Sequence, residues 1–88
     1  MNIDKIFAND NFRVLAALYE KKNEKNLVYI TQQELAEEVH RSRATINIIF
    51  KTLKENGYLN QDTEHIGRYY LTLDAIRVVE TFRSLERE

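Results

Sequence analysis

The sequence contains no cysteine, no proline and no tryptophan, and it has only two glycines among 88 residues. The lack of cysteine excludes disulfides, thiolate metal ligands and a thiol nucleophile, and it is compatible with a reducing compartment. No stretch approaches the roughly 20 apolar residues of a membrane span, and the first ten residues lack the apolar core of a signal peptide. We therefore expect a soluble, cytoplasmic protein that has no membrane association.

A chain of 88 residues buries only about two thirds of the surface that its unfolded state exposes, which is enough for one small core. We therefore expect one domain over residues 1–88. The two glycines, Gly57 and Gly67, act as punctuation, since they delimit a unit of about ten residues.

The formal net charge is -1, but the charges are unevenly distributed along the chain. Residues 1–39 carry 5 basic and 7 acidic side chains, whereas residues 40–72 carry 5 basic and 3 acidic ones. From His40 to Lys54 there is no acidic residue, while this segment contains Arg41, Arg43 and Lys51 as well as Lys54. This local basic run makes a nucleic-acid partner possible despite the overall balance.

Apolar periodicity and capping residues predict the N-terminal elements. The segment from Asp10 to about Lys22 has apolar residues at three- and four-residue spacing, which indicates an amphipathic helix capped by Asp10. Ile3, Ile6 and Phe7 suggest a short helical lead-in. Residues 27–30 are apolar but too few for a helix, so they predict a small strand.

Two helices separated by a tight turn are predicted next. Thr31 and Glu34 form a capping box, so a helix of about two turns begins there and runs to His40. Ser42 offers a second cap, and a third helix should extend from Arg43 to about residue 56, followed by Gly57 in a left-handed conformation.

The third predicted helix has two different faces. The apolar residues at helical spacing predict a buried stripe made of Ile46, Ile49, Phe50 and Leu53. The opposite face carries small, polar and basic side chains and one aliphatic exception: Ala44, Thr45, Asn47, Ile48, Lys51 and Thr52.

The C-terminal third of the sequence predicts a β-hairpin and a last helix. Tyr58 and Leu59 begin one strand, polar residues 60–67 form the turn, and residues 68–71 return as the second strand. Thr72 and Asp74 then open a helix that continues to the chain end. The fold class is therefore mainly α with a small β-hairpin (α+β).

From Ile30 to Thr72 the chain resembles a winged helix-turn-helix DNA-binding domain. The resemblance is carried by the segments TQQELAEEV, HRS, RATINIIFKTLKENGYL and GRYYLT. It implies a helix-turn-helix at about 31–57, a wing at about 58–72 and a dimerisation helix at about 73–88, with double-stranded DNA as the partner.

Within this arrangement, the exposed face of the third helix has the chemistry of base contact. Arg43 and Lys51 suit guanine, and Asn47 suits adenine. Ser42 and Thr45 suit phosphate or base, and Arg68, which follows Gly67 at the hairpin tip, suits the minor groove or a phosphate. The predicted DNA-binding residues are Arg41, Ser42, Arg43, Thr45, Asn47, Lys51 and Arg68.

Surplus apolar residues predict a homodimer. The apolar stripe of the last helix is too wide for one small core, and Ile48 lies among polar residues, where it would contact either a thymine methyl or a second copy. The predicted dimer-interface residues are Ile48, Val78, Val79, Phe82 and Leu85.

Catalysis is not expected. His40 and His65 are isolated at opposite ends of the motif, and a zinc or proton-transfer site would need partners that the sequence does not supply. We therefore expect no metal site, no cofactor and no enzymatic activity.

Three functions are compatible with the resemblance. The first is a dimeric transcriptional regulator similar to the small multiple-antibiotic-resistance-regulator (MarR) type. The second is a centromere-binding adaptor similar to the TubR type, which would also bind the filament protein of a tubulin-like plasmid or phage partition system; Ile66, Gly67 and Arg68 match its wing pattern. The third is a module that binds only protein, against which the basic run from His40 to Lys54 argues.

Overall fold

Residues 9–86, the part of the chain that the computed structural model describes, contain four helices and three short strands. In chain order the elements are α1 (Asp10–Lys21), β1 (Leu27–Tyr29), α2 (Gln32–Val39), α3 (Arg43–Glu55), β2 (Leu59–Gln61), β3 (Arg68–Leu71) and α4 (Leu73–Glu86). This order confirms the predicted fold class. The suggested lead-in helix at Ile3, Ile6 and Phe7 lies outside the described residues.

The cap of α1 differs from the prediction by one residue. The side chain of Asn9, not that of Asp10, caps the helix. Its Oδ1 atom accepts a hydrogen bond from the amide of Asn11 at 2.8 Å. Asp10 is the first residue of the helix, and its carboxylate instead contacts Arg41 in the turn after α2. The prediction was wrong because either residue type can cap a helix, and the sequence does not show that Asp10 has a distant partner.

The caps of the helix-turn-helix are confirmed. The amide of Glu34 donates to Thr31 Oγ1 at 3.1 Å, and the amide of Thr31 donates to the Glu34 carboxylate at 3.3 Å. Ser42 Oγ accepts from the amide of Thr45 at 3.1 Å. Between these caps, His40 ends α2 in the left-handed region with φ of 58°. The turn is therefore tight, because three residues separate the two helices.

The strands form one antiparallel sheet in the order β1-β3-β2. The hairpin was predicted, and the structure adds β1 to it, pairing Val28 with Tyr69 across β1 and β3. Strand β3 is thus hydrogen-bonded on both sides, with Leu59 of β2 opposite Leu71. The wing is consequently attached to the segment that precedes α2.

The core lies between α1, α3 and one face of the sheet. The predicted stripe of α3 is buried, as Ile46 is 0% and Phe50 1% exposed. The Phe50 ring packs edge-to-face on Tyr69 of β3, with centroids 4.9 Å apart. No polar or charged residue between positions 9 and 86 is buried, so the buried contacts of α3 are apolar and its polar face remains outside.

The last helix packs on α1 over more of its surface than the sequence suggested. The ring of Phe82 contacts that of Phe12 edge-to-face at 4.6 Å, and Tyr19 of α1 donates its hydroxyl hydrogen to Glu80 at 3.0 Å. Val79 is only 1% exposed. The expectation that Val79 faces a partner is therefore wrong, because the core of the same chain already encloses it.

A second polar contact holds α4 to α1. Arg83 forms an ion pair with Glu20, and its guanidinium lies over the ring of Tyr19 at 4.6 Å from the centroid. None of the helices in the described part of the chain has both the length and the apolar character that a membrane crossing requires.

Candidate nucleic-acid interface

One side of α3 presents its side chains to solvent over the length of the helix. Arg43, Asn47, Ile48 and Lys51 are all exposed, since the core takes the opposite stripe. A helix of 13 residues is roughly 20 Å long, and a major groove about 12 Å wide admits it. The geometry therefore leaves a complete helix face available for a duplex.

Two cations on this face are uncommitted. Arg43 and Lys51 have neither an ion-pair nor a hydrogen-bond partner among residues 9–86. They lie eight residues apart on α3, slightly more than two turns, so both project from the same side. Their charges are consequently available to an external anion or to a base acceptor.

Asn47 lies between these cations and is oriented by a residue that the sequence analysis did not single out. Its amide nitrogen donates to Gln32 Oε1 of α2 at 3.3 Å, so the two amide side chains meet across the helix pair. This leaves polar atoms of both side chains to contact a base. Gln32 directly follows the capping Thr31, but no motif distinguishes it from its neighbour Gln33.

Ser42 and Thr45 have structural partners. Besides capping α3, the Ser42 hydroxyl donates to Thr45 Oγ1 at 2.9 Å. These contacts fix the first turn of α3 and orient its free amides, which attract an anion through the helix dipole. The two hydroxyl groups thus shape the start of the helix.

Arg41 is bound within the chain. Its Nε and Nη2 atoms donate to the two carboxylate oxygens of Asp10 at 3.0 and 3.1 Å, and Nη1 donates to the His40 carbonyl at 2.9 Å. The Arg41 hydrogen bond, with a smaller effect from Arg13, holds the pKa of Asp10 below its ordinary value. Arg41 therefore differs from Arg43, because an acid on α1 already compensates its charge.

The position of Arg68 was predicted incorrectly. It is the first residue of β3, opposite Tyr29 of β1, and so lies where the wing loop (residues 62–67) joins the sheet and not at the tip of the hairpin. Its Nε atom is 2.8 Å from Asp62 Oδ2, in an ion pair without hydrogen-bond geometry. The guanidinium also lies 5.9 Å from the centroid of the Tyr29 ring. Arg68 thereby fastens the wing loop to the sheet.

The two acidic residues of the wing loop differ in exposure, since Asp62 is partly buried and Glu64 is exposed. Asp62 accepts the amide of Glu64 at 2.9 Å and lies 3.3 Å from His65 Nδ1. The Glu64 amide, then Arg68 and His65, hold the pKa of Asp62 below its ordinary value. Asp62, Glu64 and His65 come within 4.8 Å of one another, a grouping that the sequence analysis did not make. Asp62 already has three partners, namely the Glu64 amide, His65 and Arg68, so its charge repels DNA less than an unpaired carboxylate would.

A groove runs between the helix-turn-helix and the wing. It has a volume of about 430 Å³, and Gln32, Arg43, Asn47, Ile66 and Gly67 contribute to its walls. An adjoining depression shares the first three of these residues and extends to Ile48. The amide and guanidinium groups therefore form the centre of the surface, which has an exposed isoleucine on either side.

Comparison with known proteins supports this geometry. Residues 29–60 match a family model described as winged helix-turn-helix DNA-binding. The match runs from the end of β1 into β2 and includes α2, the turn and α3. No curated protein matches the sequence significantly.

Several solved structures share the fold. MepR of S. aureus in complex with DNA superposes with a TM-score of 0.72 at 20% identity, covering 97% of this chain and 64% of that one. MepR described as a transcription regulator of the Staphylococcus aureus multidrug efflux pump MepA gives 0.73 at 22% identity, covering 93% and 62%. The reduced (FeII) CO-sensing protein from R. rubrum gives 0.71 at 20% identity, covering 89% and 39%.

These likenesses define the class of fold. The chain has a winged-helix architecture, and the resemblance inferred from the sequence is confirmed. The chain spans less than two thirds of the length of each of these proteins.

Proposed function

We propose that the protein binds double-stranded DNA and regulates transcription, with α3 in the major groove and the wing beside the adjacent minor groove. The observation that carries this proposal is the exposed face of α3, where Arg43 and Lys51 are uncommitted and flank Asn47. The likeness to MepR, whose structures include a DNA complex and which is described as a transcription regulator, supports it.

The contacts of each side chain suggest a division of roles. Arg43 and Asn47 contact bases, and Gln32 holds the Asn47 amide in position. Lys51 contacts phosphate or guanine. Arg41 acts indirectly, because its pairing with Asp10 fixes the turn that precedes α3. Arg68 likewise acts by securing the wing.

A footprint on genomic DNA followed by quantitative titration tests the proposal. We expect one protected inverted repeat, and we expect Asn47→Ala to reduce discrimination between target and random DNA by about 1 to 3 kcal/mol. Lys25→Ala, which removes an exposed cation from the loop before β1, is the matched control and should bind normally. Absence of binding at low salt would refute the proposal.

We further propose that two copies bind together through α4. Val78, Phe82 and Leu85 are only half-buried by their own chain, so they retain apolar surface for a partner. Two copies would bring two α3 helices to paired half-sites.

The dimer test uses Leu85→Asp in preference to a change at Val78 or Phe82, because both of these also pack against the core of their own chain. Sedimentation should show monomers that retain the native circular dichroism spectrum. If Ile48→Asp, and not Leu85→Asp, gives monomers, the copies pair through α3. A wild-type monomer at tens of micromolar would refute both interfaces.

The partition role has one supporting observation, the 65% exposure of Ile48 on α3. Pairing through α3 would cover this side chain. An array of direct repeats in the footprint, with cooperative spreading, would favour partition, whereas a single inverted repeat favours a regulator.

A further inference from the structure

We propose that Ile66 enters the minor groove of the bound duplex and makes the wing favour A·T over G·C pairs. The proposal rests on the DNA binding proposed above, and it assigns to an apolar side chain the contact that the sequence analysis gave to Arg68. Three observations support it. Ile66 is exposed beside α3, a backbone hydrogen bond holds the wing to Ile30, and the polar side chains next to Ile66 contact Asp62.

Ile66 is unusual among the apolar residues of the described chain. It is 100% exposed, whereas most of the aliphatic residues lie in the core. Among wing-loop residues 62–67, only Ile66 and Gly67 line the groove beside α3. Because Gly67 has no side chain, Ile66 is the side chain that the loop presents on the DNA-binding side.

The backbone next to Ile66 is held in place. The carbonyl of Gly67 accepts the amide of Ile30 at 2.9 Å, which ties the loop to the residue before the cap of α2. Gly67 has φ of +80°, and a Cβ atom there would lie 3.4 Å from Ile30 O. The loop therefore lies close against this segment, and the direction of Ile66 is set by the fold.

The charged and titratable side chains near Ile66 are less suited than Ile66 to enter the minor groove. Arg68 pairs with Asp62, and His65 lies 3.3 Å from the same carboxylate. Glu64 is exposed and acidic, so phosphates repel it. The uncharged side chain of Ile66, which lines the protein groove beside α3, is thus the better candidate to enter the minor groove of the DNA.

The chemistry of the minor groove gives Ile66 a base preference. A·T pairs present only acceptors on the groove floor, whereas G·C pairs add the N2 amino donor of guanine. Isoleucine has no acceptor for this amino group, which would lose its water without gaining a new hydrogen bond. Contact by Ile66 therefore disfavours guanine without any base-specific hydrogen bond.

Inosine provides the test, because replacing guanine by inosine removes the N2 amino group and leaves the major-groove atoms unchanged. Each guanine in the footprint is replaced in turn, and affinities are measured by fluorescence anisotropy. At the positions beneath the wing we expect wild-type affinity to rise about fivefold, the size of one hydrogen bond. Ile66→Ala should lose this gain.

Leu73→Ala is the matched control, since it truncates another exposed aliphatic side chain, which lies at the start of α4 and is 65% exposed. It should keep the inosine gain of the wild type. Circular dichroism should show that both variants fold, because both side chains are exposed. The proposal is overturned if the wild type gains nothing from inosine at any position, if Ile66→Ala gains as much as the wild type, or if only Leu73→Ala loses the gain. Failure of the wild type to bind any duplex would instead refute the proposed function.

Discussion

The salt dependence of DNA affinity should report which cations the structure leaves free. Five basic side chains lie between positions 41 and 68. Arg41 and Arg68 have carboxylate partners, Asp10 and Asp62 respectively. The remaining three have no carboxylate partner among residues 9–86: Arg43, Lys51 and Lys54. Lys54 donates a hydrogen bond to the neutral amide of Gln61.

The magnitude follows from counterion release. Each neutralised phosphate contributes about -0.9 to the slope of log affinity against log salt concentration. If all three free cations neutralise a phosphate, the slope is about -2.7, which is about a 40-fold loss of affinity from 50 to 200 mM salt. If Arg43 contacts only bases, as proposed above, the slope is about -1.8 and the loss about 12-fold. If all five cations bound phosphate, the slope would be about -4.5 and the loss about 500-fold. The last case is easily separated from the first two.

Three substitutions sharpen this prediction. Lys51→Ala should flatten the slope by about 0.9, and Arg41→Ala should leave it nearly unchanged. Asp10→Asn removes the partner of Arg41 and should steepen the slope by up to about 0.9. The assay is anisotropy titration of a labelled duplex at four or more salt concentrations, with the bound stoichiometry measured first so that slopes are compared per protein copy.

A wild-type slope near the five-cation value would contradict this reasoning. The same conclusion would follow if Arg41→Ala and Arg68→Ala flattened the slope as much as Lys51→Ala does. Either result would mean that the two ion pairs open when DNA binds.

Three further predictions concern stability. Arg41 lowers the pKa of Asp10, so the stabilisation from the ionised carboxylate is present above the ordinary pKa of 3.8 and is lost as the pH falls through the lowered one. Asp10→Asn should therefore be less stable than wild type in urea at about pH 7, and the difference should shrink as the pH falls below 3.8. Ile46→Ala, at a buried position, should cost about 2 to 5 kcal/mol in denaturant unfolding, whereas the exposed Ile48→Ala should stay within about 0.5 kcal/mol. Gly67→Ala should lower the free energy of unfolding by about 1 to 2 kcal/mol, because φ is +80° there; an unchanged thermal midpoint would show that the loop relaxes.

Local sequence signals predicted the order of the elements. The capping box at Thr31 and Glu34, the cap at Ser42 and the glycine after α3 each mark a helix end through contacts within a few residues. The buried stripe of α3 follows from the helical spacing of its apolar residues. These features depend on neighbours in sequence, which is why they could be found without a structure.

Local sequence signals could not show that Arg41 and Arg68 form ion pairs within the chain. Asp10 and Arg41 are 31 residues apart, and their contact requires that α1 pack beside the turn. The joining of β1 to β3 likewise depends on how the chain returns, although it determines where Arg68 lies. Helical periodicity showed that α4 is apolar on several sides, but it did not show that the core of the same chain encloses Val79.

The central position of β3 has a consequence for DNA of different shapes. Because β3 is paired on both sides, and Ile30 bonds to Gly67 beside the start of α2, the wing and the helix-turn-helix keep a constant separation. A duplex must then match this separation. One whose minor groove is too wide or too narrow must deform in order to bind, which lowers its affinity. Base pairs that no side chain touches would thereby affect affinity through the stiffness of the DNA.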